Sequence, residues 1–399
     1  MADDDALDLH RRLRGKIEIH SKIQVTDRKT LSLVYTPGVA AVSTAIAEAP
    51  EKAYDYTMKG NAVAIVTDGS AVLGLGNIGA EAALPVMEGK ALIFKAFAGI
   101  DAIPLCFKDQ NPREIIDAVK NIAPGFGGIN LEDIKAPECF DIEAALQGIG
   151  IPVMHDDQHG TAIVILAGLI NAAKVVGKRL EDLRIVVNGS GAAGTAVAKL
   201  LSCVGYDRRI CTSVKEIIVL DSKGIIHRKR PDLNPYKREL VGFTNPAGVQ
   251  GGLEDALCGA DVFIGVSTGK VLPAASIRRM AKQPIVFAMA NPTPEIMPDL
   301  ARNAGAAVVG TGRSDFPNQV NNALVFPGIF RGALDARATV INSEMKLAAA
   351  YALAKCVPHP TAEKILPEIF DKSIVLRIAA AVAQAATETG VAGRLVAAS

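Results

Sequence analysis

The chain has 399 residues, with 43 Lys plus Arg against 42 Asp plus Glu and a formal net charge of +1. That balance, without dense Lys/Arg blocks, gives no electrostatic basis for binding nucleic acid, and the acidic-then-basic start MADDDALDLHRRLRGK lacks the apolar core of a signal peptide. No uncharged run is long enough to span a bilayer, so length and composition together predict a cytoplasmic protein of two domains with no membrane partner.

In chain order, residues 62–67 (AVAIVT) are strand-like, 80–98 helical, 102–107 strand-like, 112–122 helical, 128–130 a short strand, 139–148 helical and 151–154 a short strand. This alternation predicts a first parallel-sheet domain over residues 1–155. A second unit, 156–320, repeats the pattern with strands near 184–188, 216–220, 262–265, 285–289 and 307–309. Residues 321–399 turn helical, with alanine-rich runs from Ser343 to Cys356 and Ile374 to Thr387 around a Pro358 and Pro360 break, and should cross back to the first domain. Six cysteines, at 106, 139, 203, 211, 258 and 356, have no CxxC spacing and read as reduced packing residues.

The run VVNGSGAAGTA follows the strand near 184–188 and opens an alanine-rich helix from Ala192 to Leu201. Gly189 would make the tight turn, Gly191 would let a pyrophosphate approach the backbone, and Gly194 would let the helix pack on the strand. With Ser190, Ala192 and Ala193 these residues form a candidate phosphate loop of a Rossmann-type dinucleotide-binding domain. The next strand ends at Asp221, where an acid can accept ribose hydroxyls. Glycine-rich turns also serve packing alone, so the acid at the second strand adds independent weight.

The cluster MHDDQHGTA, ahead of that loop, admits two chemistries. His155 and His159 are four apart, as in a zinc-binding helix, but the preceding Gly150 and Pro152 favour a strand end and separate faces. Asp156 and Asp157, with Glu132 and Asp133 at the end of another probable strand, GGINLED, suit oxygen-liganded Mg2+ or Mn2+. Alternatively the aspartates merely cap a helix starting near His159.

Several segments in order resemble the malic enzymes: VYTPGVA at 34–40, TDGSAVLGLGNIG at 67–79, GKALIFKAFAGID from Gly89, INLED at 129–133, MHDDQHGTA at 154–162, VVNGSGAAG at 186–194, MANPTPE at 289–295 and QVNNALVFPGIFRGAL at 319–334. The resemblance covers most of the chain and is closest to the family's short prokaryotic form. It implies an α/β fold of two parallel-sheet domains, the second Rossmann-type. It also implies oxidation and decarboxylation of malate to pyruvate, with NAD or NADP reduced and Mg2+ or Mn2+ bound. By residue, it implies Tyr35 as general acid, Lys90 as general base with Asp156 as its partner, and Glu132, Asp133 and Asp157 as metal ligands. Asn291, Asn321 and Asn322 would hold substrate, Asn291 also the cofactor.

Taken without the resemblance, Tyr35 could be a surface tyrosine and Lys90 a solvated helix lysine. The substrate-binding arginine of longer family members is Ala71 here, with Lys95 or Arg313 as the nearest substitutes in prospect. Asp221 favours NAD, yet Ser222 and Lys223 follow it and Lys229, Arg230, Lys237 and Arg238 are near in sequence, so a 2'-phosphate could also be received and dual use leaning to NADP is expected. The cluster His227 to Arg230 reads as a solvated loop or a phosphate contact. A malolactic-type enzyme that keeps its cofactor, or a non-catalytic nucleotide sensor, are the competing readings. Hydrophobic content of 49%, a mean hydropathy of +0.25 and an apolar edge of Leu7, Leu9 and Leu13 predict a homodimer or larger.

Overall fold

A computed structural model describes residues 2–72 and 74–393. The chain begins with four short helices, α1 (Ala2–Leu13), α2 (Arg28–Val34), α3 (Val39–Glu48) and α4 (Ala53–Tyr56). Neither α2 nor α3 buries a residue, although α3 is largely apolar. Residues 28–48 are together long and apolar enough to cross a membrane, contrary to the reading of composition. The run is nevertheless broken at residues 35–38 into helices of 7 and 10 residues. At about 1.5 Å per residue, neither reaches the ~30 Å of a bilayer core.

The first sheet follows. Strands β1 (Ala62–Thr67), β2 (Asp101–Cys106), β3 (Gly128–Leu131) and β4 (Val153–His155) alternate with α5 (Ala80–Ala98), α6 (Pro112–Ile122) and α7 (Glu138–Leu146). All pairings are parallel, in the order β2-β1-β3-β4. Continuous apolar sequence in β1 matches burial on both faces, as central parallel strands require. Asn111 accepts from the Arg113 N–H and Pro112 occupies the first turn, which fixes the start of α6.

Helix α8 (Asp156–Val175) joins the two sheets. It begins at Asp156, ahead of the expected start near His159, because β4 runs directly into it. The cap position belongs to His155, which makes no side-chain cap bond, so neither aspartate is the helix cap.

The second sheet contains β5 (Arg184–Asn188), β6 (Glu216–Asp221), β7 (Gly224–Ile225), β8 (Val262–Gly265), β9 (Ile285–Ala288) and β10 (Val308–Thr311) in the order β10-β9-β8-β5-β6-β7. Only the two-residue β7, which the sequence pattern did not suggest, is antiparallel. Its helices are α9 (Ala192–Leu201), α10 (Pro235–Val241), α11 (Leu253–Leu257), α12 (Ala274–Ile277) and α13 (Pro298–Asn303). Cys203 and Cys211 are joined in a disulfide in the loop between α9 and β6, which corrects the reading of six reduced thiols. That loop folds back on the end of α9 and buries both residues, a proximity that their spacing does not announce. Cys106, Cys139, Cys258 and Cys356 are free.

The remaining helices are α14 (Phe326–Asp335), α15 (Ser343–Lys355) and α16 (Ser373–Glu388). Helix α14 returns to the first sheet's layer, where Phe326 and Phe330 pack tilted and edge-on against Phe94 of α5 at centroid distances of 4.7 and 5.5 Å. One apolar cluster runs from Met87 and Phe94 of α5 through Ile163 to Leu169 of α8 to Ile185, Val187 and Phe287 of the second sheet. The site lies where this core meets the carboxyl ends of both sheets.

Candidate active site

The sheet register builds the acidic centre. Leu131, the last residue of β3, pairs with His155, the last of β4. The next residues of each strand, Glu132 and Asp133 on one side and Asp156 and Asp157 on the other, therefore leave the same sheet edge together, at the carboxyl ends where open α/β sheets bind ligands. Carboxylate oxygens of Glu132, Asp133 and Asp157 come within 4.8 Å of one another. Asp133 adopts a left-handed φ of 52°, a strained conformation for a residue with a Cβ. Its N–H donates to Asp157 Oδ2 at 2.8 Å, and its carbonyl accepts from the Ala71 N–H at 2.9 Å.

Burial pushes the Glu132 carboxyl well above its usual range; Lys90 opposes this, while Asp157, Asp156 and Asp133 reinforce it. Crowded carboxylates of this kind suit a hard divalent cation such as Mg2+ or Mn2+, which takes oxygen ligands and would relieve their repulsion. Among the described residues, the cluster of metal-type donors contains no histidine.

Lys90 faces this cluster from α5 and is only 8% exposed, unlike a solvated helix lysine. Its Nζ contacts Glu132 Oε2, lies 2.5 Å from Asp156 Oδ2, and sits 4.4 Å from the centroid of the Phe326 ring. Burial disfavours the ammonium, but Asp156 and Glu132 outweigh it and hold the amine above the usual lysine range. Asp156 is itself raised, chiefly by burial and against the pull of Lys90. Its Oδ1 is buried without a protein hydrogen-bond partner. A Cβ at Gly160, one turn along α8, would stand 1.9 Å from that oxygen, so the glycine of HDDQHG makes room for the carboxylate.

The histidines do not converge. His155 is fully buried, with Nε2 3.6 Å from Asp157 Oδ2. His159 points away to Glu143 of α7, at 3.0 Å. Glu143 also accepts from the His155 N–H and Gln158 Nε2. Burial would raise this carboxyl, but the His159 contact and its neighbours outweigh burial and bring it down to about 2. A zinc site on His155 and His159 is thereby excluded by geometry, since Glu143 engages one of them on the far side.

Two cavities meet here. One, of about 750 Å³, is lined by Lys90, Glu132, Asp133, Asp157, Asn291, Asn321 and Asn322; the other, of about 1340 Å³, extends over Gly189, Ser190 and Gly191 to Asp221, Ser222 and Lys223. Both are bounded by Val266 and Ser267, so they adjoin. Ala193 borders the smaller cavity, while Ala192 and Gly194 lie in the first turn of α9.

The three glycines differ as the loop chemistry requires. Gly189 has a φ of +130°, and a Cβ there would meet the Val266 carbonyl at 2.6 Å; a Cβ on Gly194 would meet the Gly189 carbonyl at 1.7 Å. Gly191 faces open space, the room a phosphate needs.

The remaining candidate residues do not all gather at the acidic cavity. Asp221 is not free to receive a ribose: Arg230 and Lys237 bind both its oxygens, whereas Lys229 and Arg238 do not line the cavity. Tyr35 ends α2 at 67% exposure and does not line the acidic cavity; α2 and α3, which flank it, bury no residue. Lys95 is paired with Asp101 and Arg313 with Asp315, and neither lines the acidic cavity. Ala71 does line it, and so does Lys16, whose Nζ donates to the Pro85 carbonyl at 2.7 Å. Lys16 was not anticipated, since it lies in a segment with no periodicity to place it.

Comparison with known proteins matches the family described as "Malic enzyme, N-terminal domain" to residues 14–114 and "Malic enzyme, NAD binding domain" to residues 158–387. The bifunctional malic/malolactic enzyme of Bacillus subtilis is 56% identical, across 98% of this chain and 94% of its own. The NADP-dependent malic enzyme of Halomonas elongata is 48% identical, across 98% and 94%. The crystal structure of an NAD-dependent malic enzyme from Thermotoga maritima superposes with a TM-score of 0.89 at 52% identity, covering 95% of this chain and 98% of that one. With both halves of the chain matched and the carboxylate centre set beside a dinucleotide cavity, the chain belongs to the malic enzyme family.

Proposed function

We propose that the chain oxidises and decarboxylates malate to pyruvate and CO2 in the cytoplasm, reducing NAD or NADP. The observation that carries this reading is the three-carboxylate cluster with Lys90 in a cavity that opens onto the glycine-loop cavity. We divide the chain into a substrate domain of residues 1–155, a nucleotide domain of residues 156–320 and returning helices from 321 to 399.

Glu132, Asp133 and Asp157 would hold Mg2+ or Mn2+, which supplies electron withdrawal at the oxygens of substrate and product. Bound NAD or NADP would supply the hydride acceptor, and Lys90 would take the malate hydroxyl proton. Asp156, 2.5 Å from the amine, is its partner in this reading and holds it toward the acidic cavity. Asn291, Asn321 and Asn322 orient the carboxylates and ribose through neutral amides, and Lys16 at the rim supplies a cation in place of the arginine that Ala71 replaces. Tyr35 protonates the enol to give pyruvate. It lies on the uncovered α1–α3 arm, so a homodimer is part of this reading: the second copy covers the apolar arm and receives Tyr35 in its cleft.

The test is an assay with malate, Mn2+ and each nucleotide in turn, following reduced nicotinamide and measuring pyruvate. No nucleotide reduction with either cofactor would sink the reading. The printed name of the Bacillus relative includes a malolactic activity, so lactate is measured in the same assay; lactate without net nucleotide reduction identifies that reaction instead.

A further inference from the structure

A separate cavity of about 490 Å³ lies between α7, the first turn of α8, α9 and the start of α15. It shares no lining residue with the acidic cavity and meets the nucleotide cavity only at Phe140 and Tyr236, whose ring centroids are 4.6 Å apart. The chemistry of malate and nucleotide has no use for it.

Its titratable groups are not all engaged. Glu143 accepts from the His155 N–H, Gln158 and His159, and Lys199 pairs with Glu239 at 2.9 Å. Lys346, near the start of α15, lines the same cavity half-buried and, among the described residues, makes no hydrogen bond or ion pair. It senses Glu143 only through space. Burial pushes its amine below the usual lysine range, and Glu143 opposes this without cancelling it. An enclosed ammonium with no contacting anion is a costly arrangement, which a ligand carboxylate would relieve.

Tyr206 adds a second open position. It is half-buried in the loop closed by the Cys203–Cys211 disulfide, and among the described residues its hydroxyl makes no hydrogen bond. Phe140, Tyr236, Val340 and Ile341 supply apolar wall. With one unpaired cation and the Glu143 carboxylate nearby, a second acid group on a ligand would meet repulsion, so a dicarboxylate such as malate is disfavoured. The volume lies within the about 300–1,000 Å³ of ordinary small-molecule pockets.

We propose that this cavity is a second ligand site, which takes a monocarboxylate with a flat apolar body: the carboxylate on Lys346, a polar edge at Tyr206 and the body against Phe140 and Tyr236. Occupancy is independent of the active site, because the lining residues of the two are distinct.

Titration calorimetry with 2-naphthoate, on the whole protein alone and again saturated with Mn2+ and NAD+, tests this. The neutral isostere 2-naphthamide is the control. The acid should bind in both states, and more tightly than the amide by about tenfold or more, the scale of one charge-assisted hydrogen bond. Lys346→Met keeps the stem and removes the charge, so it should abolish that preference. Ala144→Phe, on an exposed position of α7 that lines the cavity, should weaken acid and amide alike by narrowing it, and it leaves Lys346 intact should the first variant fail to fold. The proposal is overturned if naphthoate does not bind, if either variant binds it as the wild type does, or if Mn2+ and NAD+ displace it, which would place it in the active-site cavities.

Discussion

Lys90 and Asp156 form a pair in which both partners are stripped of water and each holds the other charged. Removing one leaves the other as an uncompensated buried charge. Lys90→Ala should lower malate turnover by about 10²- to 10⁴-fold, the usual cost of a missing general base, with nucleotide affinity retained. Lys90→Arg should not restore it, since a guanidinium cannot be deprotonated in proteins. Steady-state rates beside nucleotide titrations check both, and near-normal turnover of either variant removes Lys90 from the chemistry. Asp157→Asn and Glu132→Gln should each shift the Mn2+ dependence of activity to higher concentration before they affect NAD(P) binding. An unchanged metal titration would show that the cation is held elsewhere. At this scale the sequence announced the carboxylates, because acids at consecutive positions after a strand have few structural uses. It did not announce that Gly160 clears space for Asp156, that Lys16 reaches the cavity rim, or that Arg230 and Lys237 close on Asp221. Each of these depends on side chains far apart in sequence or on a backbone approach that no spacing encodes.

At the scale of elements, α7 and the start of α8 are tied by Glu143, which accepts from the His155 N–H, Gln158 and His159. The bonds hold the first turn of α8, and with it Asp156 and Asp157, in place behind the site. The Glu143 carboxyl titrates near 2 in the folded chain against 4.5 ordinarily. Its folded value is the lower one, so its stabilisation is fully present above pH 4.5 and is lost as pH falls toward 2. The stability difference between wild type and Glu143→Gln, measured by denaturant unfolding, should therefore be flat above that range and shrink below it. A difference that grows with acidification contradicts the assignment. Gly160→Ala tests the same turn from inside: a methyl group 1.9 Å from Asp156 Oδ1 must displace the carboxylate, so activity should fall while the helix persists by circular dichroism. The strands and helices themselves were largely legible, from AVAIVT as β1 to the alanine-rich α16, because apolar runs between glycine and proline breaks have few other solutions. The start of α8 and the short β7 were not. The first depends on β4 continuing straight into a helix without a side-chain cap, and the second on two residues pairing across a turn.

Across the described residues of the whole molecule, α1–α3 stand largely uncovered, with Leu7 at 64%, Leu13 at 53% and Leu33 at 65% exposure. Light scattering should give at least twice the 41.8 kDa of one chain, and charged residues at Leu9 and Leu13 should lower it. Mixing inactive Tyr35→Phe chains with inactive Lys90→Ala chains separates two geometries. If Tyr35 serves the neighbouring cleft, random reassociation restores up to about a quarter of wild-type activity, since half the dimers are mixed and each has one intact site. Absence of recovery after verified exchange places Tyr35 in its own cleft.

Helix α8 carries the acid residues at its first turn and buries nearly every later side chain in a core shared by both sheets. Each sheet also packs a cluster of its own on its other face, but the shared core couples the two halves: unravelling either sheet strips a wall from the other. Despite its two nucleotide-fold-like layers, the chain should unfold in one cooperative step, with α8 amides exchanging with solvent only when everything opens, and a single calorimetric transition is the signature. The same coupling means that damage anywhere along this helix reaches the metal-ligating turn as lost stability of the entire protein, so a variant deep in α8 would be depleted from the cell before its catalytic defect could be noticed.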